Sequence, residues 1–151
     1  MNDGNMTKGI DIEALKAENK RRNEALRVKY DPVKGTGCHG ERVRVAAREW
    51  NDGQVYIPAA MKRDKRYATI RTKEEWVKLR CRHDFEYWAA KCVVIKDKTT
   101  GADIPFVPNA PQRRVLAALE EDRVAGKPLR MIILKARQWG GSTLVQLYMA
   151  W

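Results

Sequence analysis

Long hydrophobic runs are missing from this sequence. No apolar stretch approaches the roughly 20 residues that a membrane-spanning helix needs, and Met1 to Lys8 is polar, without the apolar segment of a secretory signal. A cytoplasmic setting without membrane association is therefore expected. Cysteine is scarce: Cys38, Cys81 and Cys92 are an odd and sparse set, which argues against a disulfide framework and fits a reducing compartment. The two histidines, His39 and His83, give no His-x-x-x-His pair, and no Cys-x-x-Cys occurs, so the spacing of a zinc finger is absent. Acidic residues are few as well. Lys and Arg number 30 against 19 Asp and Glu, giving a net charge of +11. Such a balance favours a polyanionic partner, because each cation that neutralises a phosphate releases a counterion.

What is present suits one ordinary domain, or a small domain with part of another: 151 residues, 44% hydrophobic and 32% charged. Residues 11–30 read as a charged helix with a broken apolar stripe of Ile12, Leu15, Ala25, Leu26 and Tyr30, ended by Asp31-Pro32. Residues 31–40 hold three glycines and a proline and read as a loop. Residues 41–58 alternate weakly and suggest short strands on either side of Asn51-Asp52-Gly53. Residues 62–82 carry nine Lys or Arg. Within them Thr72 and Glu75 form a capping-box pattern that predicts a helix from about Lys73, and Asp84 is the cap of a further helix through Trp88 to Lys91. Residues 92–107 read as a hairpin turning at Lys98-Thr-Thr-Gly101, with Pro105 confining its second strand to an edge. Residues 109–125 form the clearest helix, capped by Asn109, with Pro111 in the first turn and Gly126 at the C-terminal left-handed position. The apolar run 129–135 predicts a buried strand, and 142–151 a helix.

The order strand, Gly140-Gly141, Ser142-Thr143, helix is the layout of a phosphate-binding loop. Small residues let backbone N–H groups approach phosphate oxygens, the helix start offers partial positive charge, and a hydroxyl there can ligate Mg²⁺. The usual pattern G-x-x-x-x-G-K-S/T places Lys135 at the first glycine and Gly141 where the lysine belongs. A displaced cation, Lys135 or Arg137, would have to substitute. The competing reading of the segment is a plain structural turn between a strand and a helix.

The segment Lys135-Ala-Arg-Gln-Trp-Gly-Gly-Ser-Thr143 resembles the altered Walker A loop of phage terminase large subunits, whose R-Q-x-G core follows a hydrophobic strand and whose lysine often moves to the loop start. Phe85-Glu-Tyr-Trp88 and Phe106-Val-Pro-Asn-Ala-Pro-Gln112 resemble the stretch that precedes the loop in that family. The likeness covers about residues 83–151. It implies an α/β fold in which a basic, partly helical extension (1–82) precedes the first strand–loop–helix unit of an incomplete P-loop NTPase sheet (83–151). It implies an ATP-driven DNA-packaging motor using ATP and Mg²⁺. Lys135, with Arg137, would offset the β- and γ-phosphate charge, and Gln138, Gly140, Gly141, Ser142 and Thr143 would surround the phosphates. Ser142 would ligate Mg²⁺ and Gln112 would meet the adenine edge. The implied partners are double-stranded DNA, the small terminase subunit and the portal protein, in a homo-oligomeric motor in the host cytoplasm.

Hydrolysis needs an acid at the end of a second apolar strand. The run Cys92-Val-Val-Ile-Lys-Asp97 precedes the loop and interposes a base, so it does not qualify. The family's clustered acidic nuclease ligands are also missing, so the chain reads as the N-terminal part of such a subunit, without ATPase turnover of its own. The alternative is a basic nucleic-acid-binding or assembly module with a degenerate, non-hydrolysing loop. Lys62, Arg63, Lys65, Arg66 and Arg71 are the candidate DNA contacts, the other reading being a solvated or subunit-docking face. Trp76, Phe85, Tyr87 and Trp88 fit core packing better than base stacking.

Overall fold

The computed structural model describes residues 11–25, 28–46, 48, 53–134 and 139–151. It is a mixed α/β structure with two separate two-stranded antiparallel sheets among the described residues. Helix α1 (Ile12–Ala25) is tied to α5, described below, by an Arg21–Glu121 ion pair at 3.0 Å. Its Ile12 and Leu15 are exposed, so the apolar stripe at the start of this helix is left open to solvent. The helix expected over 11–30 is shorter than that, since residues 28–30 are not helical; so charged a sequence gains little from burial.

Strands β1 (Arg42–Val45) and β2 (Val55–Pro58) pair with Val43 opposite Ile57 and Val45 opposite Val55. This is the expected pair of short strands around Gly53. Val45, Val55 and Ile57 are buried. The loop before β1 approaches β2 closely: a Cβ on Gly35, whose φ is +78°, would stand 1.8 Å from the Tyr56 carbonyl oxygen. Only glycine fits there.

Two short elements follow that the sequence pattern did not announce. Helix α2 (Ala59–Arg63) buries Ala59 and Met61, and a 3₁₀ helix (Lys65–Thr69) starts where the Asp64 carboxylate accepts the Arg66 N–H at 2.9 Å. A five-residue element is too short to show a period of 3.6. Helix α3 (Lys73–His83) begins at the expected capping box, with both reciprocal Thr72–Glu75 bonds formed. The hairpin β1–β2, α2 and α3 enclose a first core of Val45, Val55, Ile57, Met61, Ile70, Trp76 and Leu79.

Asp84 ends α3 and caps α4 (Phe85–Cys92). Beyond it lie the predicted hairpin, β3 (Val94–Lys96) and β4 (Asp103–Pro105), then α5 (Ala110–Val124) and α6 (Gly141–Ala150). A second core forms from Phe85, Ala89, Phe106, Leu116 and Leu144, flanked by Trp88, Tyr148 and Trp151. Trp151 donates its indole N–H to the Cys81 carbonyl at 2.6 Å and thereby pins the end of α6 to α3.

The buried strand expected over residues 129–135 is not found. Residues 129–134 take no regular structure, and Ile132 and Leu134 are 93% and 96% exposed. A strand is stabilised by neighbouring backbone, and among the described residues no strand lies alongside this one. Residue 135 lies outside the described residues. The helix of the expected strand–loop–helix unit is present as α6, and its strand is not found among the described residues.

A buried ionic cluster joins the two cores. Arg42 on β1 makes a two-pronged contact to Asp84, at 2.9 and 3.0 Å, and reaches Glu86 at 3.3 Å. Arg80 lies 3.4 Å from Asp84 and donates to the Pro32 carbonyl. Glu86 accepts the Tyr30 hydroxyl at 2.8 Å and the His39 N–H at 3.1 Å. Burial works against the Arg42 charge, but the attraction of Asp84 outweighs it and holds the guanidinium more firmly protonated than usual. Burial pushes the Glu86 carboxyl up, with Arg42 opposing it. Removing one member of such a cluster strands a buried charge, at about 3–5 kcal/mol. We therefore expect Asp84→Ala to shift the urea unfolding midpoint several times further than Thr72→Ala, which removes one helix cap worth about 1 kcal/mol. Equal shifts would show that the cluster does not organise the fold.

Candidate nucleotide-phosphate site and basic surface

The glycine turn sits where α5 begins and α6 begins. Asn109 and Gln112 form a capping box at α5: the Gln112 N–H donates to Asn109 Oδ1 at 3.0 Å, and the Asn109 N–H donates to Gln112 Oε1 at 2.9 Å. The other ends of both side chains hold the turn. Asn109 Nδ2 donates to the Trp139 carbonyl at 3.2 Å, and Gln112 Nε2 donates to the Gly140 carbonyl at 2.9 Å. Two consecutive carbonyls are thus drawn toward α5. In a trans peptide the N–H points opposite to the C=O, so the Gly140 and Gly141 N–H groups face away from α5.

Side chains crowd both glycines. Gly140 has φ +80°, and a Cβ there would stand 2.6 Å from Gln112 Nε2. A Cβ on Gly141 would stand 2.4 Å from the Trp139 ring. The N-cap residue of α6, Gly140, has no side chain with which to cap the first turn, and no described residue caps it instead. Ser142 and Thr143 stand on that turn, Thr143 exposed and Gly141 buried, while buried Leu144 anchors it to the second core. The Trp139 indole N–H is buried and has no hydrogen-bond partner among the described residues. Helix-start N–H groups, two hydroxyls, two glycines and an orphaned donor suit an anionic, acceptor-rich ligand such as a phosphate.

Lys135, Arg137 and Gln138, the cations and the amide expected beside that ligand, lie outside the described residues. Gln112, expected at an adenine edge, is buried, and its carbonyl oxygen and one N–H serve the helix cap and the turn. The sequence marked Gln112 as a residue of the site; its grip on Gly140 across 28 positions left no local signal.

The five candidate DNA-contacting cations are all exposed and lie on or just after α2 and the 3₁₀ helix. Several already have local partners. Arg66 grips Asp64 with two nitrogens, holding that carboxyl well below its usual range, and Arg63 lies 3.6 Å from Glu41. Lys62 sits 4.2 Å over the Tyr67 ring, and Arg71 donates to the Ala68 and Ile70 carbonyls. The basic run is not one face, since Arg80 turns inward to the ionic cluster. Trp76, Phe85 and Tyr87 are buried, as core packing requires, and Trp88 is half-buried against Phe85.

The ionic cluster around Arg42 had one trace in the sequence: Glu86 stands alone among Phe85, Tyr87, Trp88 and Ala89. An acid on an apolar helix face calls for a buried cation. Apart from Cys81 and Cys92, whose sulfurs lie 3.9 Å apart, the cysteines and histidines do not converge. Cys38 lies in the loop before β1, His83 meets Asp64 at 2.8 Å, and no group of three or more potential ligands occurs among the described residues. No helix among them is long and apolar enough to cross a membrane.

Replacing Gln112 separates its two roles. Gln112→Glu keeps the acceptor for the Asn109 N–H and loses the donor to Gly140, so amide hydrogen exchange at residues 140–143 should accelerate while the start of α5 stays protected. Gln112→Ala should loosen both. Unchanged exchange at the turn in both variants would show that the clamp does not hold it. On the basic surface, reversing Lys65 and Arg71 to Glu should weaken DNA binding and lower the slope of log K against log salt by about 0.9 for each phosphate no longer neutralised; an unaltered slope excludes this surface as the DNA-binding one. Comparison with family models, with curated proteins and with solved structures finds no match to this chain.

Proposed function

We propose that the chain is the ATP-binding beginning of a DNA-packaging motor of the phage terminase large-subunit type. The observation that carries this reading is the double-glycine turn that opens α6, clamped from behind by Asn109 and Gln112. It agrees with the R-Q-W-G-G-S-T sequence of the segment and with the N-x-x-Q start of α5. In this reading the Gly140 and Gly141 amides and the first turn of α6 hold the phosphates, and Ser142 supplies the hydroxyl to Mg²⁺. Thr143 stands beside it, and Lys135 with Arg137 replaces the charge of the lysine that Gly141 displaces. Magnesium, when bound with the nucleotide, would neutralise phosphate charge. The chain's own residues bind and orient the phosphates, while Gln112 holds the turn in shape rather than reading the base.

The excess of positive charge supports double-stranded DNA as the polyanion the motor moves. The small terminase subunit, the portal protein and a ring of identical subunits belong to the same proposal and rest on the family likeness.

Titration with a fluorescent ATP analogue in Mg²⁺ tests the site directly. The 151-residue chain should bind, and Lys135→Ala should weaken binding about tenfold or more, since a charged hydrogen bond to phosphate is worth about 1.5–3 kcal/mol. Gly141→Val should abolish it by forcing the turn apart. Binding unaffected by Lys135→Ala would exclude that lysine as the substitute cation, and no binding by the unmodified chain would favour the assembly-module reading. ATP turnover by the purified chain is not expected, for want of an acid after an apolar strand; turnover would overturn that expectation.

A further inference from the structure

Cys81 lies on the last turns of α3 and Cys92 closes α4, and their sulfurs stand 3.9 Å apart. The third cysteine, Cys38, is in the loop before β1 and hydrogen-bonds the Asp31 carbonyl. Cys92 is exposed and Cys81 half-buried. A disulfide needs sulfurs at about 2.05 Å, so closure shortens the 3.9 Å separation by roughly 1.9 Å. The helices that carry them meet at Asp84, where the Arg42 cluster fixes their relative position. The pair is therefore held close by the fold and not by a flexible segment.

We propose that Cys81 and Cys92 form a reversible redox pair, a modification site that takes small-molecule disulfides of the glutathione class. In the first step the exposed Cys92 thiolate attacks one sulfur of the small disulfide. A Cys92–glutathione bond forms, the original S–S bond breaks, and one glutathione thiolate leaves. In the second step Cys81 gives up its proton, its sulfur attacks the Cys92 sulfur, and the second glutathione thiolate leaves. Two protein thiols are oxidised and one small disulfide is reduced to two thiols. The order follows from access, Cys92 being exposed and Cys81 half-buried; burial also pushes the Cys81 thiol up.

The consequence lies at α6. The Cys81 carbonyl accepts the Trp151 indole N–H, and Trp151 packs edge-on against Phe85 at the foot of α4. A bond between Cys81 and Cys92 locks the corner on which the end of α6 rests. The other end of α6 carries the glycine turn.

The experiment incubates the full 151-residue chain with oxidised glutathione, blocks the remaining thiols with N-ethylmaleimide and reads the intact mass and the peptide map. The unmodified chain should go from three blockable thiols to one, with Cys81 and Cys92 in a single linked peptide and dithiothreitol restoring all three. Cys81→Ser should stop at one glutathione on Cys92, and Cys92→Ser should take up none at Cys81. Three thiols left in the treated chain, a stable glutathione adduct on Cys92 with Cys81 still free, or a Cys38 linkage would each overturn the proposal. Cysteine-to-serine changes are small, and circular dichroism of both variants confirms that a negative result is not a failure to fold.

Discussion

The two-pronged contact between Arg42 and Asp84 is the constraint on which the rest of the structure leans. Arg42 opens the chain's first hairpin, and Asp84 is the residue at which α3 ends and α4 begins. The aspartate serves three demands at once: it accepts from Arg42, it lies against Arg80, and it caps α4 through the Tyr87 N–H. Replacing a buried ion pair by apolar residues often leaves stability unchanged or raises it. The value of this one is therefore in position. Apolar contacts would let the hairpin slide against the α3–α4 corner, while a forked guanidinium facing a carboxylate admits one geometry.

From that corner the order spreads by short links. Glu86, in the first turn of α4, takes the Tyr30 hydroxyl and the His39 N–H, which sets the loop between α1 and β1. Arg113 on α5 lies 3.9 Å over the Tyr30 ring and donates to the Gly37 carbonyl. Helix α5 is thus fixed to the same loop, and its first residues grip the glycine turn. The path from the ionic cluster through Glu86, Tyr30, Arg113 and Gln112 runs through side chains that are buried or half-buried, so the turn takes much of its placement from the interior.

Local chemistry was legible and remote chemistry was not. The Thr72–Glu75 box, Asp84 as a cap, the hairpin about Gly101, Asn109 with Pro111, and Gly126 all act through neighbours a few positions away, and each reads directly from the order of residues. Arg42 and Asp84 are 42 positions apart, and Gln112 and Gly140 are 28 apart, beyond any periodic pattern. Gln112 shows the difference within one residue. Its capping role follows from standing three places after Asn109, while the use of its amide nitrogen depends on where another segment passes. Arg80 makes the same point in charge: it is one of nine cations in residues 62–82 by sequence, yet the fold turns it inward. The apolar pattern of 129–134 failed for a related reason, because whether it becomes a strand is decided by neighbouring backbone and not by its own side chains.

That failure bears on how a phosphate loop can be held. Such loops normally gain stiffness from a paired strand on one side and a helix on the other, which limits how far the turn can swing. Here residues 129–134, upstream of the turn, are mostly exposed and pair with no strand among the described residues, so they lend it no sheet stiffness. The two amides of Asn109 and Gln112 provide it, binding successive carbonyls of the turn from one rigid helix end. This arrangement also gives glycine a use at both positions apart from ligand access. Gly140 must admit the Gln112 amide, and Gly141 must admit the Trp139 ring. The same lack of side chains lets the clamp and the ring approach from within, with the Gly140 and Gly141 N–H groups on the side away from α5. If the turn is the phosphate site proposed above, its donors are oriented during folding, and that cost is met before binding.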